Sequence, residues 1–298
     1  MKRLLLFALL LFSTTTWSQK RPVILTAGQS NADGRVPMNE LPAYITPDSY
    51  QYCQWSYGSG DFLKATGEFS PFWPTVARKA LNDRWGFDAI VYELLNKRLQ
   101  QPFYVIKHTM GGTAIDTTCA RSTHKQYWSA DTAYLQRTRS ASRKGKSLLK
   151  AFVEQIDDCI NGQLSQLKEG YDIKALLWHQ GESDMPAAER YEDNFKSVIH
   201  YIRQHLADKT GEKKYLQLPV ICGTFAANSR QASPVVAEAM RRIARDDKNV
   251  FVVDASDLSL QNDQIHFDAK GAEMLGQRYY EVLEKVAFPI IGDAFKGF

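Results

Sequence analysis

The amino-acid sequence predicts an α/β protein: a three-layer α/β/α sandwich with a central five-stranded parallel sheet. Short apolar runs rich in β-branched residues alternate with amphipathic segments of helical period along most of the chain. The apolar runs lack polar residues at alternate positions, which is typical of parallel strands buried on both faces. Strict alternation of strands and helices implies right-handed crossovers that place helices on both faces of the sheet.

The five predicted strands are the apolar runs that precede polar or glycine-rich turns. They cover Val23 to Ala27, Phe103 to His108, Ile173 to His179, Pro219 to Phe225 and Val250 to Ala255. The predicted helices have apolar residues three and four positions apart. They cover Phe87 to Leu99, Lys144 to Lys168, Ala187 to Lys209, Pro234 to Arg245 and Ala269 to Val286.

The first 18 residues have the pattern of a secretory signal peptide. Lys2 and Arg3 precede an apolar stretch from Leu4 to Phe12, and small or polar residues follow as far as Ser18. The apolar stretch is well short of the ~20 residues that a transmembrane helix needs, although a retained membrane anchor is the alternative. We expect cleavage near Ser18, a periplasmic or secreted protein, and a single domain over residues 19–298, since no Pro/Gly/Ser-rich linker divides them.

Charge and cysteine usage limit the possible partners and cofactors. The net charge of +4 includes Lys2 and Arg3, so the chain after cleavage carries 4 − 2 = +2, which favours neither nucleic acid nor a membrane surface. The four cysteines have no CxxC spacing, and no paired histidines suggest zinc, so a metal is not implied. In an oxidising compartment Cys53 and Cys119 are candidates for a disulfide, while Cys159 and Cys222 are expected to be buried thiols.

Polar motifs follow the predicted strands, where the carboxyl ends of a parallel sheet form the ligand crevice. The first strand leads into Gly28-Gln29-Ser30-Asn31, and Ser30 is placed as a nucleophile. Near the other end of the chain, Asp263 and His266 are three residues apart, so the carboxylate can orient the imidazole that activates Ser30. The alternatives are ordinary ones: Ser30 as a helix cap and His266 as a surface residue.

Further residues at the same sheet edge supply the other groups that acyl transfer needs. The amides of Ser30 and Gly112 and the side chain of Gln180 are candidate oxyanion donors, although Gly111-Gly112 alone would suit a simple turn. Glu182 and Asn31 are predicted to support the site, with Glu182 bracing His266 or the site loop. The nearby polar residues His108, His179 and Asp184 are expected to be structural.

These motifs together resemble the SGNH hydrolase superfamily, in particular carbohydrate esterases similar to sialate O-acetylesterases and family-six acetylxylan esterases. The motifs GQSN, GGT, HQGESD and DQIH follow one another in that order through nearly the whole mature chain. The resemblance implies the flavodoxin-like version of the sandwich and a cofactor-free Ser-His-Asp mechanism. It also carries the oxyanion role to Gln180 and places Glu182 near His266, so the division of labour between Glu182 and Asp263 stays open.

The expected function is removal of acetyl groups from a carbohydrate through a serine acyl-enzyme. Esterase or acetyltransferase activity on another small acyl ester, and an inactive sugar-binding module, are the alternatives. The long irregular stretches from Val36 to Pro74 and from Ile115 to Ser142 are expected to form the substrate surface. Six aromatic residues in these stretches are candidates for stacking on sugar rings or for ordinary core filling: Trp55, Tyr57, Phe72, Trp73, Tyr127 and Trp128. The oligomeric state is left open.

Overall fold

The computed structural model describes residues 19–60, 65–74 and 83–289, so the predicted signal peptide lies outside the described residues. Within these ranges, no helix combines the length and apolar character needed to cross a membrane.

A seven-stranded sheet forms the centre of the molecule. In spatial order its strands are β4 (Ser70–Pro71), β3 (Cys53–Gly58), β6 (Phe103–Thr109), β1 (Arg21–Gly28), β7 (Tyr171–His179), β8 (Val220–Gly223) and β9 (Val250–Val253). All neighbouring pairs are parallel except β3 with β4. A separate two-stranded antiparallel sheet joins β2 (Val36–Pro37) to β5 (Arg84–Trp85).

Helices cover both faces of the sheet. Besides the single turn α1 (Ser30–Asp33), the helices are α2 (Phe87–Leu99), α3 (Thr132–Arg137), α4 (Leu148–Asn161), α5 (Tyr191–Thr210), α6 (Pro234–Asp246) and α7 (Ala269–Ala287). Val23, Leu25 and Ala27 of β1 belong to a core shared with α4, α5 and α6. Ile24 points the other way, into the core shared with α2 and α7. The predicted three-layer α/β/α sandwich is therefore confirmed.

The sheet contains two strands more than the predicted five. All five predicted strands are present within a few residues of their expected bounds, but β3 and β4 lie inside the stretch that we expected to be irregular. Strand β3 was not predicted because it is not fully apolar. Its residues are a mixture of buried and half-buried ones, since the strand lies near the sheet edge. A search for fully apolar runs does not detect such a strand.

Two helices begin later than the sequence pattern predicts. Helix α4 begins at Leu148 because the Ser147 side chain caps it, accepting a hydrogen bond from Lys150 N at 3.2 Å. Residues ahead of α5 form 3₁₀ turns from Glu182 to Arg190, with Pro186 inside them. The predicted starts at Lys144 and Ala187 were therefore too early.

The predicted Cys53–Cys119 disulfide is wrong, since all four cysteines are free and buried. Cys53 pairs with Phe103 where β3 and β6 begin, at the amino edge of the sheet. Cys119 lies in the loop after β6 ends, at the carboxyl edge. The two thiols are therefore at opposite edges of the sheet, the amino edge and the carboxyl edge. Burial raises the pKa of each. Cys159 and Cys222 are buried thiols, as predicted.

The topology places the predicted site at a switch point of the sheet. Strand β1 lies between β6 and β7: from β1 the chain goes out to β3 and β4, returns to β6 beside β1, and then continues on the other side of β1 through β7, β8 and β9. In open α/β sheets the ligand crevice forms at the carboxyl ends of the strands on either side of such a point. The residues that follow β1, β6 and β7 are the three motif segments that contain Ser30, Gly112 and Gln180.

Candidate active site

Ser30 begins a one-turn helix directly after β1 ends. Backbone hydrogen bonds hold the turn: Gln29 N donates to His179 O at 2.9 Å, and Met110 N donates to Gly28 O at 3.1 Å. Gly28 has φ +147°, and a Cβ atom there would lie 2.1 Å from His179 O, so only glycine fits. The turn therefore holds Ser30, which is 5% exposed, between the ends of β6 and β7.

His266 and Asp263 form a hydrogen-bonded pair, as predicted from their spacing. His266 Nδ1 lies 2.7 Å from Asp263 Oδ2, and the other carboxylate oxygen accepts from the backbone amides of Ile265 and His266 at 2.9 and 3.0 Å. Because a carboxylate only accepts hydrogen bonds, Nδ1 carries the proton, which leaves Nε2 with its lone pair. The imidazole is thus held in the tautomer that a general base requires.

The pKa values of this pair are shifted by burial and by their contact. Burial lowers the pKa of His266 below its ordinary value, against the opposing effect of Asp263, and the positive charge of Arg35 lowers it further. For Asp263, burial alone would raise the pKa, but the hydrogen bonds from His266 and Ile265 outweigh it and lower the pKa. Asp263 therefore stays ionised while His266 is neutral at neutral pH.

Side-chain amides attach the His266 loop to the Ser30 turn. Asn31 Oδ1 accepts from Phe267 N at 3.3 Å, and Gln261 Nε2 donates to Arg35 O at 3.0 Å. The residue after Ser30 thus contacts the residue after His266, across 236 positions of sequence. The structure brings the predicted nucleophile and base to one sheet edge.

Among the described residues, no hydrogen bond joins the Ser30 hydroxyl to the His266 ring. Catalytic hydrogen bonds are often long until substrate binds, so this separation is compatible with proton transfer in the substrate complex. The roles of Ser30, His266 and Asp263 in a reaction stay predictions.

The backbone amides of the two residues predicted as oxyanion donors have no acceptor in the described part of the chain. They are those of Ser30, the first residue of its helical turn, and Gly112, which has φ +69°. Gly111 brings the second segment close, because a Cβ placed on it would lie 3.5 Å from Ser30 Cβ. Unpaired N–H groups beside a nucleophile are the groups that stabilise a tetrahedral oxyanion, so the predicted donor roles of Ser30 and Gly112 fit this geometry.

Gln180 is placed differently from the two backbone donors. Its side chain is fully buried, and its amide nitrogen lies 2.5 Å from Asp184 Oδ2, 3.0 Å from Thr113 O and 3.3 Å from Gln29 Oε1. The two N–H groups of the Gln180 amide therefore already have three possible acceptors within the protein. The oxyanion role of Gln180 stays a prediction; what the structure shows is a side chain that ties the β7 end to the Gly112 segment.

Glu182 contacts Asn31 and not His266. Its Oε1 atom accepts from Asn31 Nδ2 at 2.9 Å and lies 3.8 Å from His179 Nε2, while Oε2 is buried without a partner. Burial raises the pKa of Glu182 to about 7 and lowers that of His179 to about 3. Since Asn31 also holds Phe267, Glu182 acts on the His266 loop through Asn31, so support of the loop is the role that this geometry favours.

The residues expected to be structural are all buried in hydrogen-bonded positions. His179 Nδ1 lies 3.2 Å from Tyr279 Oη, and His108 Nδ1 lies 2.8 Å from Gln155 Oε1. Asp184 accepts from the backbone amides of Ile115 and Asp116 at 2.8 to 3.0 Å. Together these contacts fix the loops that carry the site.

Two charged residues in the site, Arg35 and Asp33, were not among the predicted site residues. Asp33 is fully buried and accepts from Arg35 Nη1 at 2.8 Å, Tyr57 Oη at 2.7 Å and Thr109 Oγ1 at 2.7 Å. A Cβ on Gly111 would lie 2.2 Å from Arg35 Nη2, so the guanidinium lies against the backbone beside Ser30. The available signal was that Asp33 and Arg35 closely follow the GQSN motif, three and five residues after Ser30.

Three of the six aromatic residues proposed for sugar stacking belong to the core. Phe72, Tyr127 and Trp128 are 5%, 6% and 0% exposed, which excludes direct stacking on a sugar. The loop placement of Trp55 and Tyr57 was also wrong, because both lie in β3, where their rings stack on each other at 5.0 Å. Core filling, the ordinary alternative, explains the three buried rings.

A family model described as carbohydrate esterase, sialic acid-specific acetylesterase, matches residues 20–285. The match covers all the motif segments described above. The chain belongs to this family of carbohydrate esterases. The esterase's predicted resemblance to sialate O-acetylesterases is thereby confirmed.

Individual proteins are similar to this chain. A probable carbohydrate esterase from Arabidopsis thaliana is 33% identical over 112 residues, which is 37% of this chain and 39% of that relative, so less than half of either protein is aligned. Among solved structures, NanS gives a TM-score of 0.62 at 14% identity, covering 90% of this esterase and 98% of that chain. A protein from Arabidopsis thaliana gives 0.61 at 20% identity, covering 90% and 99%. At these identities the structural similarity shows the shared fold.

The described residues contain no cluster of three or more histidine, cysteine or acidic side chains that could hold a metal ion. The groups that the site does present are a hydroxyl, a neutral imidazole paired with a carboxylate, and unpaired backbone amides. This set is sufficient for acyl transfer by nucleophilic catalysis.

Proposed function

We propose that this carbohydrate esterase is a periplasmic or secreted O-acetylesterase that uses Ser30 as nucleophile. The observation that carries the proposal is the meeting, at one sheet edge, of a strand-end serine and a histidine whose tautomer is fixed by Asp263 at 2.7 Å. The two groups come from opposite ends of the chain, and among the described residues His266 Nε2 has no hydrogen-bond partner that would give the ring a purely structural role.

The reaction would proceed in two halves. His266 Nε2 takes the Ser30 proton as Oγ attacks the acetyl carbonyl, and the amides of Ser30 and Gly112 stabilise the oxyanion. The imidazolium then protonates the departing sugar hydroxyl, leaving an acetyl-enzyme. In the second half His266 activates water, which attacks the acetyl group and releases acetate and Ser30.

Two observations support hydrolysis of an acetylated carbohydrate. The matching family is one of sialic acid-specific acetylesterases, so an acetylated sugar is the first substrate class to test. The hydrogen bond between Asp263 and His266 argues against an inactive sugar-binding module, because binding alone requires no oriented imidazole.

The test is acetate release from a panel of O-acetylated sialoside, xylan, pectin and glucomannan, with 4-nitrophenyl acetate as an activated ester. We expect hydrolysis of the activated ester and of at least one acetylated carbohydrate. A protein that binds these carbohydrates but hydrolyses neither kind of ester would be a binding module, contrary to the proposal. Acetyl transfer would be distinguished by product that increases with added acceptor sugar at constant ester consumption.

The activity should be lost in acid with a midpoint below pH 6.5, the ordinary pKa of histidine. The base form of His266 is required, so activity is present above its pKa and disappears as pH falls through it. Because burial lowers this pKa, the loss should occur at lower pH than for a free imidazole. The measurement is kcat/KM for 4-nitrophenyl acetate between pH 4 and 8.

Glu182 requires a control in this experiment, because its pKa of about 7 places its titration in the same range. In Glu182→Gln the amide oxygen can still accept from Asn31, but the titration is removed. We expect the same acid midpoint in this variant. A midpoint that moves by a full pH unit would assign the acid limb to Glu182 and contradict the role of His266.

A further inference from the structure

One segment of the chain carries most of its excess positive charge. Residues 117–150, which we call the basic segment, contain eight lysines and arginines and a single acidic residue, Asp131. The segment therefore carries 8 − 1 = +7, whereas the whole chain carries +4, so all remaining residues together carry 4 − 7 = −3. A near-neutral average thus conceals a strongly basic surface.

The cationic side chains of the basic segment face solvent. Seven are exposed: Arg121, Lys125, Arg137, Arg139, Arg143, Lys144 and Lys146. Across the described ranges, only Arg143 lies within salt-bridge distance of a carboxylate, that of Glu154 at 3.6 Å. Asp131 caps α3 by accepting from Tyr134 N at 2.7 Å. The positive charge is therefore largely uncompensated.

The basic segment adjoins the active site. Thr123 N donates to Gly112 O at 2.8 Å, and a Cβ on Gly112 would lie 2.5 Å from Thr123 Oγ1. His124 and Lys125 follow with φ of +53° and +55°, two consecutive left-handed residues at the rim. Lys146 Nζ donates to His124 O at 2.7 Å, which joins the second half of the segment to this rim.

A further cation, Arg35, lies in the site, where the buried carboxylate of Asp33 pairs with it at 2.8 Å. The guanidinium of Arg35 lies against the backbone of Gly111, which is also close to Ser30, and its charge lowers the pKa of His266. Asp116, the acidic residue nearest to the start of the basic segment, is already bound by Arg190 at 2.7 Å. The charge of the Asp116 carboxylate is therefore compensated by Arg190.

We propose that the basic segment binds the negatively charged chain of a carboxylate-bearing glycan and presents its acetyl groups to Ser30. The inference rests on the proposed esterase activity and deepens it, by assigning an acidic polysaccharide as the substrate class. Several exposed cations spread over two connected loops suit repeated carboxylates along a polymer, since each contact is weak alone and the contacts act together. A glycan is favoured over other polyanions because the surface adjoins the site for sugar esters.

The test compares two triple variants. Arg121, Arg139 and Lys144 have exposed side chains without hydrogen bonds or salt bridges to the described residues, so Arg121→Gln/Arg139→Gln/Lys144→Gln removes charge without removing a hydrogen bond. The matched control is Lys168→Gln/Lys213→Gln/Lys248→Gln. These three lysines are exposed and precede β7, β8 and β9, at the opposite edge of the sheet.

For acetylated polygalacturonate at low salt, we expect kcat/KM to fall about tenfold in the first variant and less than about twofold in the control. Hydrolysis of 4-nitrophenyl acetate and of neutral acetylated glucomannan should stay within about twofold in both. The preference of the unaltered protein for polygalacturonate should also decrease in about 0.5 M NaCl, because salt screens exposed charges. Equal losses in both variants, or no loss, would overturn the proposal.

Binding separates this inference from the esterase activity. In Ser30→Ala, titration with unacetylated polygalacturonate should show binding that the first triple variant abolishes and the control retains. This result can be obtained even if the protein hydrolyses no ester, in which case only the proposed function fails. Binding to phosphatidylglycerol vesicles without binding to polygalacturonate would instead assign the surface to an anionic membrane and overturn the glycan proposal.

Discussion

Ser30→Ala should lower kcat/KM for 4-nitrophenyl acetate by roughly 10⁴- to 10⁶-fold, with little effect on folding. The hydroxyl is the only group that can form the acyl-enzyme in the proposed reaction. The methyl group of alanine fits the same turn, since the backbone hydrogen bonds of Gln29 and Met110 hold the segment. The measurement is steady-state hydrolysis together with thermal unfolding of the purified variant.

Ser183→Ala is the matched control. Ser183 follows β7 at the same sheet edge, and its hydroxyl makes no hydrogen bond to the described residues. We expect this variant to keep its activity within about twofold. A Ser30→Ala protein that retains a tenth or more of the activity would exclude Ser30 as the nucleophile.

Lys107→Met should destabilise the fold by about 3–5 kcal/mol. Lys107 in β6 and Asp88 in α2 form an ion pair of 2.7 Å, with side chains only 3% and 2% exposed. Removing the lysine leaves the carboxylate buried without its cation, which costs far more than loss of an exposed ion pair. The measurement is the free energy of unfolding by urea at pH 7.

The pH dependence of this variant follows from Asp88. Burial raises the pKa of Asp88, and Lys107 opposes the rise. Without Lys107 the pKa should rise further, so the protonated carboxyl stabilises the variant at low pH and this contribution is lost as pH increases. The loss of unfolding free energy in Lys107→Met, relative to the unaltered protein, should therefore be smaller at pH 5 than at pH 7. Asp88→Asn/Lys107→Met should recover part of the stability, whereas a deficit below 1 kcal/mol in Lys107→Met would show that the pair is solvated.

The main features of the fold were predictable because parallel strands buried on both faces leave a clear apolar pattern. Strands β1, β6 and β7 and helix α2 were found within two residues of their observed bounds. Strand β3 was missed because its residues are only partly buried, and β4 because it has two residues. In the sequence alone, neither segment can be distinguished from a loop, because each is recognised as a strand only by its hydrogen bonds to neighbouring strands.

The candidate site was predictable at the level of motifs and less so at the level of contacts. Spacing predicts that Asp263 can reach His266, and the hydrogen bond confirms it. Sequence could not show that Glu182 contacts Asn31, because that contact depends on how two strand ends approach each other. The same holds for Arg35, whose guanidinium reaches the backbone of a segment 76 positions away.

The central claim is that His266 activates Ser30, and covalent labelling tests it most directly. An alkyl fluorophosphonate reacts with a serine only where a base removes its proton, and peptide mapping then identifies the modified residue. We expect a single adduct on Ser30 in the unaltered protein and labelling at least about 100-fold slower in His266→Ala. An adduct on another serine, or labelling of Ser30 at the same rate in both proteins, would contradict the account.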